Sequence, residues 1–243
     1  IRECYETTLT FADMTPNQTK PSKACFSGAS CLLVLAWLLQ GCASVEPAPP
    51  RVPPYQPTNF SASRTHLTPE IVRVAVKAPE VDDTLAAQHN RTVQLLEQVY
   101  RSEVAKPMLF EVVWLDEASM KAMGLPLLKT DRPYPRQFFT TLKESLQCEA
   151  FLTSKITNLR TMAPLMIGWQ MKLVDTDTLE TIWEINEVFD AGNASVHAAA
   201  ANYFEAEVRS GFRKPSSELV MASPRLYGQY TLDAVFSTLP PRK

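Results

Sequence analysis

The side chains in this sequence that could do chemistry are few and lie far apart. There are three histidines, His66, His89 and His197. A metal site needs ligands at spacings such as His-x3-His or Cys-x2-Cys, and none of the three has a Cys, His or Asp partner at such a distance. No nucleophile stands in a G-x-S-x-G or S-x-x-K setting, and no G-x-x-x-x-G-K loop offers its amides to a phosphate. Ser154 and Thr157 have no base behind them and read as the polar face of a strand. Asp175, Asp177 and Glu180 cluster within six residues. A calcium ion needs six to eight oxygens at fixed spacing, about twice what this run supplies, and turn chemistry accounts for the residue types. Asp190-Ala191-Gly192-Asn193 reads as a strand end followed by a helix cap. The expectation is therefore no catalytic residue, no metal and no cofactor.

The thiols are more informative. Five cysteines are present: Cys4, Cys25, Cys31, Cys42 and Cys148. Residues 25–39 form an uncharged apolar run, preceded by Lys20 and Lys23, and match the h-region and n-region of a signal peptide. The run is shorter than the roughly 20 residues needed to span a bilayer. Leu39-Gln40-Gly41-Cys42 follows and resembles the bacterial lipobox: an aliphatic residue three before the cysteine, a small residue next to it, and the thiol itself. Gln40 departs from the small residue usual there. The resemblance implies a lipoprotein signal peptide over 25–42 and lipid attached to Cys42. Ala43, where Asp would mark retention, implies the periplasmic face of the outer membrane in a Gram-negative cell. Met14 is the first methionine, so residues 1–13 are expected to be upstream sequence read in frame. After processing only Cys42 and Cys148 remain, which leaves no intramolecular disulfide framework even in an oxidising compartment. Cys148, at the start of an expected strand, reads as a small buried hydrophobe.

Composition bounds the rest. The chain is 45% hydrophobic and 21% charged with a net charge of −2, an ordinary globular balance without the basic excess of a nucleic-acid binder. Nineteen prolines stand against seven glycines, which argues against Gly-rich phosphate loops. Three regions are expected: upstream residues and signal peptide over 1–42, a Pro- and Ser-rich tether over 43–69, and one folded domain over 70–243.

Within that domain the periods predict elements that alternate. Alternating β-branched residues predict a strand over 71–78. A helix follows over 83–106, capped by Asp82 or Asp83 and ended by Pro107, and then a strand over 108–115. A short helix over 117–123 leads through a Pro-rich loop over 125–135 to an amphipathic helix over 137–147. Strands are expected over 148–159, 165–175 and 180–189, the last two joined as a hairpin. Helices over 194–208 and 224–239 complete the order. This predicts an α/β (α+β) fold with one mixed sheet of about five strands and helices packed on it. Trp114, Trp169 and Trp183 alternate with other apolar residues and read as core. Tyr134, Phe138 and Phe139 are candidates for a contact patch, with burial the competing reading.

The β-α-β start with Arg73-Val74-Ala75-Val76, the strand Ala150–Thr157 and the hairpin with Ile182-Trp183-Glu184 resemble a group of periplasmic lipoprotein domains. These are related to the N-terminal domain of TolB and include CsgG, LpoB and PelC. Leu179 stands where that group usually has Gly. The likeness runs over roughly 70–210 and implies an outer-membrane, non-enzymatic assembly role. The leading expectation is thus a lipid-anchored binding or assembly module docking on an envelope protein or on its own copies. The alternative is a periplasmic hydrolase or small-ligand-binding domain that uses carboxylates. The C-terminal helix is expected either to cover the hairpin sheet or to leave it open, and the hairpin's outward residues Glu180, Glu184 and Asn186 are the candidate contact surface.

Overall fold

β-branched and aromatic side chains at every second position make most of the strands, and each strand's apolar phase decides which face of the sheet it joins. The computed structural model describes residues 55–126, 133–207 and 216–242. The expected signal peptide, Cys42, the first part of the tether and much of the Pro-rich loop lie outside the described residues.

Strand β1 is Phe60–Ala62, β2 Arg73–Lys77 and β3 Glu80–Val81, followed by helix α1, Asp83–Glu103. Next come β4, Glu111–Leu115, α2, Glu117–Ala122, and α3, Arg136–Leu146. The long strands are β5, Ala150–Arg160, β6, Met166–Asp175, and β7, Thr181–Asp190. Helices α4, Ala194–Glu207, α5, Ser217–Ala222, and α6, Pro224–Phe236, complete the chain. All seven strands form one mixed sheet in the order β1-β7-β6-β5-β2-β4, with β3 beside β5. β4, β2, β3 and β5 run parallel to their partners, and β5, β6, β7 and β1 pair antiparallel. The expected α/β class and single mixed sheet are what the chain adopts. The two strands beyond the expected five are the short β1 and β3.

Helices cover one face throughout. Val74, Val76, Leu152, Trp169, Met171 and Trp183 meet Leu96, Val99 and Tyr100 of α1, Val196 and Ala200 of α4, and Tyr227, Leu232 and Val235 of α6. The other face is covered only at the parallel end. There Met120 of α2 and Phe138, Phe139 and Leu142 of α3 pack on Ala75, Leu115 and Phe151. Phe138 and Phe139 are buried, and Tyr134 stacks into them with its ring centroid 4.7 Å from that of Phe138. Burial of some 150–250 Å² per aromatic ring outweighs a surface role for this trio.

The expected tether needs correction at its end. Phe60, Ser61 and Ala62 pair with Ile185, Glu184 and Trp183 of β7, and Leu67, 1% exposed, joins the main core. The ordered domain thus takes in residue 55 onward. An uncovered β7 edge would leave a row of backbone groups unpaired, and this arm supplies the partners.

Two backbone features depart from regular geometry. A bulge at Thr157 in β5 puts Thr157 and Asn158 against Gly168 of β6, where an added Cβ would sit 2.4 Å from Thr157 Oγ1. His89 breaks the helical dihedrals inside α1 (φ −130°, ψ 28°).

Candidate functional site

Among the described residues, a crevice at the parallel end of the sheet and the open sheet face at its antiparallel end are placed to meet something outside the chain.

The crevice follows from topology. From β2 the chain crosses by α1 on one face to β4, and from β4 by α2 and α3 on the other face to β5. Connections that leave a central strand in opposite directions open a gap beyond the carboxyl ends of the strands. A cavity of about 460 Å³ lies there, lined by the ends of β2 and β4, by β3, by α1 and by the start of α2. Asp83 and Arg101, from the first and last turns of α1, both line the cavity, and His89 breaks the helical dihedrals between them.

Three cations and six carboxylates line the crevice. Lys77 pairs with Glu80, Lys155 Nζ lies 3.4 Å from Asp82, and Arg101 Nη2 lies 3.0 Å from Glu97 Oε1. The Arg101 guanidinium also sits 4.5 Å from the Trp114 ring centroid, a cation–π contact that fixes it at the rim. Asp116 accepts the Ser119 N–H at 2.7 Å, capping α2. Hydrogen bonds from Ser119 hold its carboxyl below the usual carboxylate range. That is the direction opposite to a general acid, which must keep its proton near neutrality. The lining contains no His, Cys, Ser or Thr.

The open face belongs to β6, β7 and β1. Because α2 and α3 stop short of it, the even-numbered residues of β6 and, from Glu184 on, of β7 face away from the helices, while Ile182, at the register shift, stays in the core. They form register-matched rows: Thr153, Lys172, Glu184 and Ser61 in one, Lys155, Gln170 and Asn186 in the next. Lys172 Nζ and Glu184 Oε2 are 3.1 Å apart with more than 40% of each side chain exposed. The α6 alternative is also settled: that helix covers the apolar face and leaves this one open.

The remaining sequence candidates stay separate. His66 sits before β2 and touches Thr65, His89 in α1 approaches Thr161 Oγ1 at 3.4 Å, and His197 lies in α4. Among the described residues, no group of three or more His, Cys, Asp and Glu is placed to hold a metal ion. Asp175 Oδ1 accepts the N–H groups of Asp177 and Thr178 at 2.9 and 3.1 Å, while Arg64 approaches Asp175 and Glu180, and Lys143 engages Asp177. These carboxylates organise a turn and two cross-links. Asp190 accepts from Gly192 N and Arg160, and Asn193 caps α4 through Ser195 N. Ser154 departs from expectation: it is 1% exposed and lies on the helix-covered face, because its even position puts it in phase with Leu152 and Ile156. Glu80, Glu97, Lys77 and Lys155 drew no attention in sequence. The signal that could have found the crevice is a pair of acids opening a helix soon after a strand, at Asp82-Asp83 and at Asp116-Glu117.

No family model matches the sequence, and none of the curated proteins is similar to it. Among solved structures, the PelC dodecamer from Paraburkholderia phytofirmans is similar at 12% identity and a TM-score of 0.43, over 76% of this chain and 96% of that one. Lipoprotein GNA1162 from Neisseria meningitidis is similar at 14% identity and a TM-score of 0.38, over 57% and 99%. The LpoB C-terminal domain from Salmonella enterica is similar at 17% identity and a TM-score of 0.33, over 49% and 83%. PelC and LpoB are members of the group that the sequence resembles; likenesses of this size carry no conclusion about activity. Among the described residues no helix is long and apolar enough to cross a membrane.

Proposed function

We propose that this chain is a lipid-anchored lipoprotein of the bacterial envelope, attached through Cys42 at the periplasmic face of the outer membrane. Its αβ domain acts there as a binding or assembly module and not as an enzyme. The observation that carries the reading is the open face of β6, β7 and β1. A rigid antiparallel sheet presents ordered polar rows there, with Lys172, Glu184 and Asn186 fixed in register. Charges held in fixed register steer encounter and select a partner more than they add affinity. The partner is an envelope protein or a second copy of the chain.

A photo-crosslinking residue at Asn186, in cells, tests this. Adducts of one or two discrete masses are expected there, lost when Glu184→Lys is added, and absent from a crosslinker at Met108, which is 88% exposed. Equal labelling at both positions overturns the reading. For the anchor, Cys42→Ser should move the protein out of the membrane fraction and remove the diacylglyceryl mass; a membrane-bound variant of unchanged mass overturns it.

A further inference from the structure

We propose that the crevice at the carboxyl ends of β2, β3 and β4 binds a small organic cation, an alkylammonium compound. The site lies at the strand ends, shares only Lys155 with the open sheet face, and does not rest on the assembly reading.

The cavity has the size of a small-molecule site, for which a few hundred cubic ångströms is typical, at about 460 Å³. Its position, beyond the strand ends where the two crossovers part, is where α/β sheets place ligands. Such crevices often take phosphate, because helix N-termini point into them. Here the chain sets its own carboxylates at those ends. Asp82 and Asp83 open α1, and Asp116 and Glu117 open α2. An arriving anion would meet carboxylates where it needs N–H groups.

The charge balance points the same way. Lys77, Lys155 and Arg101 each face a carboxylate of the same crevice, and the lining as a whole carries three more negative charges than positive ones. The carboxylates are spread around the rim and are not drawn together for a metal ion; among the described residues no such grouping exists. Spread acids fit a cation with charge at its ends and methylenes between. Val81, Leu115 and Met120 supply the apolar wall those methylenes need. Lys77 and Lys155, each about 15% exposed along the side chain, keep the inner end from being wholly anionic, so the ammonium groups belong nearer the rim.

The experiment titrates the mature chain with 1,5-diaminopentane, with Nα-acetyl-lysine N-methylamide, with inorganic phosphate and with calcium chloride, followed by calorimetry and by amide shifts. The diamine is expected to bind and to shift Val81, Leu115 and Met120. Asp116→Asn combined with Glu117→Gln should weaken it about tenfold or more, with the circular dichroism unchanged, because Asn caps a helix as well as Asp. Binding of the lysine amide more tightly than the diamine also supports the site and assigns the ammonium group to a lysine side chain. Saturation by phosphate or calcium in place of the amines, no amine binding, or equal amine affinity in the double variant overturns the proposal. Adding Glu184→Lys, two strands from Lys155 and outside the crevice lining, should leave amine affinity unchanged, so failure here and failure of the assembly reading are separate results.

Discussion

The indole N–H of Trp169 donates to Thr231 Oγ1 at 3.0 Å, tying the middle of β6 to a hydroxyl of α6 that in turn donates to Gly228 O at 3.0 Å. Trp183 repeats the arrangement with Thr238, just past the helix. Both indoles are fully buried, so their N–H groups have no water to fall back on. Helix α6 is part of the core, and deleting residues 213–243 is expected to unfold the domain; it would not serve to free a contact surface. Thr231→Val keeps the shape and removes the hydroxyl, which is both the acceptor of the indole N–H and a donor to Gly228 O. It should lose about 1–3 kcal/mol, the penalty for an orphaned buried donor. Thr238→Val should lose less, since that bond is only part-buried. Urea denaturation measures both, and a Thr231→Val midpoint equal to wild type would refute the role of the bond.

Glu187 clamps the arm that carries β1. Its carboxylate accepts from Tyr55 Oη at 2.7 Å, Thr58 N at 2.8 Å and Asn59 N at 3.0 Å. Burial alone would raise its carboxyl, but these donors together hold it below its ordinary value of 4.5. A depressed folded-state value means that the stabilisation is present above about pH 4.5 and is lost as pH falls below it. The wild type should therefore lose more stability between pH 5 and pH 3 than Glu187→Gln does. In the variant, proteolysis at Tyr55 or Phe60 should be faster already at pH 7. Identical acid profiles would remove Glu187 as the clamp.

Much of this fold is legible in the sequence, and the exceptions have physical causes. The hairpin of β6 and β7 and the cap at Asn193 follow from local pattern, because their partners lie within a few residues. Strand β1 is different. Its three residues are all exposed, so no burial alternation marks it, and Glu187, which holds the arm, lies 128 residues on from Asn59. Asp82 occupies the N-cap of α1 as expected yet makes no capping bond; its carboxylate turns to Lys155, a partner that only the folded sheet supplies. The crevice needs four separate stretches of sequence brought together, and the acid pairs at Asp82-Asp83 and Asp116-Glu117 are its one local sign.

Leu179 shows how a departure from pattern is absorbed. It adopts φ +62° in the hairpin turn, the region where Gly is preferred, but its side chain packs against the cluster of Phe138 and Phe151. Strain of about 1 kcal/mol thus opposes a hydrophobic contact of similar size. Leu179→Gly should change stability by less than about 1 kcal/mol, whereas Leu179→Val, β-branched at positive φ, should cost about 1–3 kcal/mol. Thermal unfolding decides; equal losses for the two would mean that backbone strain does not matter here.

Gly168 is required by its neighbours and not by its own dihedrals. A Cβ there would come 2.4 Å from Thr157 Oγ1 and 2.9 Å from Asn158 Oδ1 across the bulge. Gly168→Ala must displace the Thr157 and Asn158 side chains of the paired strand and should cost about 1–3 kcal/mol, as overpacking does. Thr157→Ala in the same chain removes the nearer atom and should recover part of the loss. A stable Gly168→Ala protein with unchanged unfolding midpoint would show that the bulge is softer than its contacts imply.

Cys148 is the one thiol among the described residues, and its chemistry follows from burial. The residue is inaccessible to solvent, sits against Phe138 and Phe151 in the second cluster, and directs its sulfur to Leu146 O at 3.7 Å. Burial pushes the thiol up from 9.0 to about 11, with Arg73 opposing and Glu149 and Glu111 adding to the rise. At pH 8 only about one molecule in a thousand carries the thiolate, which is the reactive form. Alkylation of the native protein should thus follow the rate of unfolding and accelerate steeply in denaturant. The same shift sets a stability trend at high pH. A folded-state value raised above the unfolded one favours the folded protein fully below pH 9.0 and less as pH climbs through about 11, because the unfolded thiol ionises first. Cys148→Ala should flatten the first part of that slope, just above pH 9.0 and below the range where the buried tyrosines contribute, while losing about 1 kcal/mol at neutral pH from the space the sulfur filled. Native labelling as fast as that of an exposed thiol, or an unchanged slope just above pH 9.0 in Cys148→Ala, would show that the sulfur is not sealed in this core.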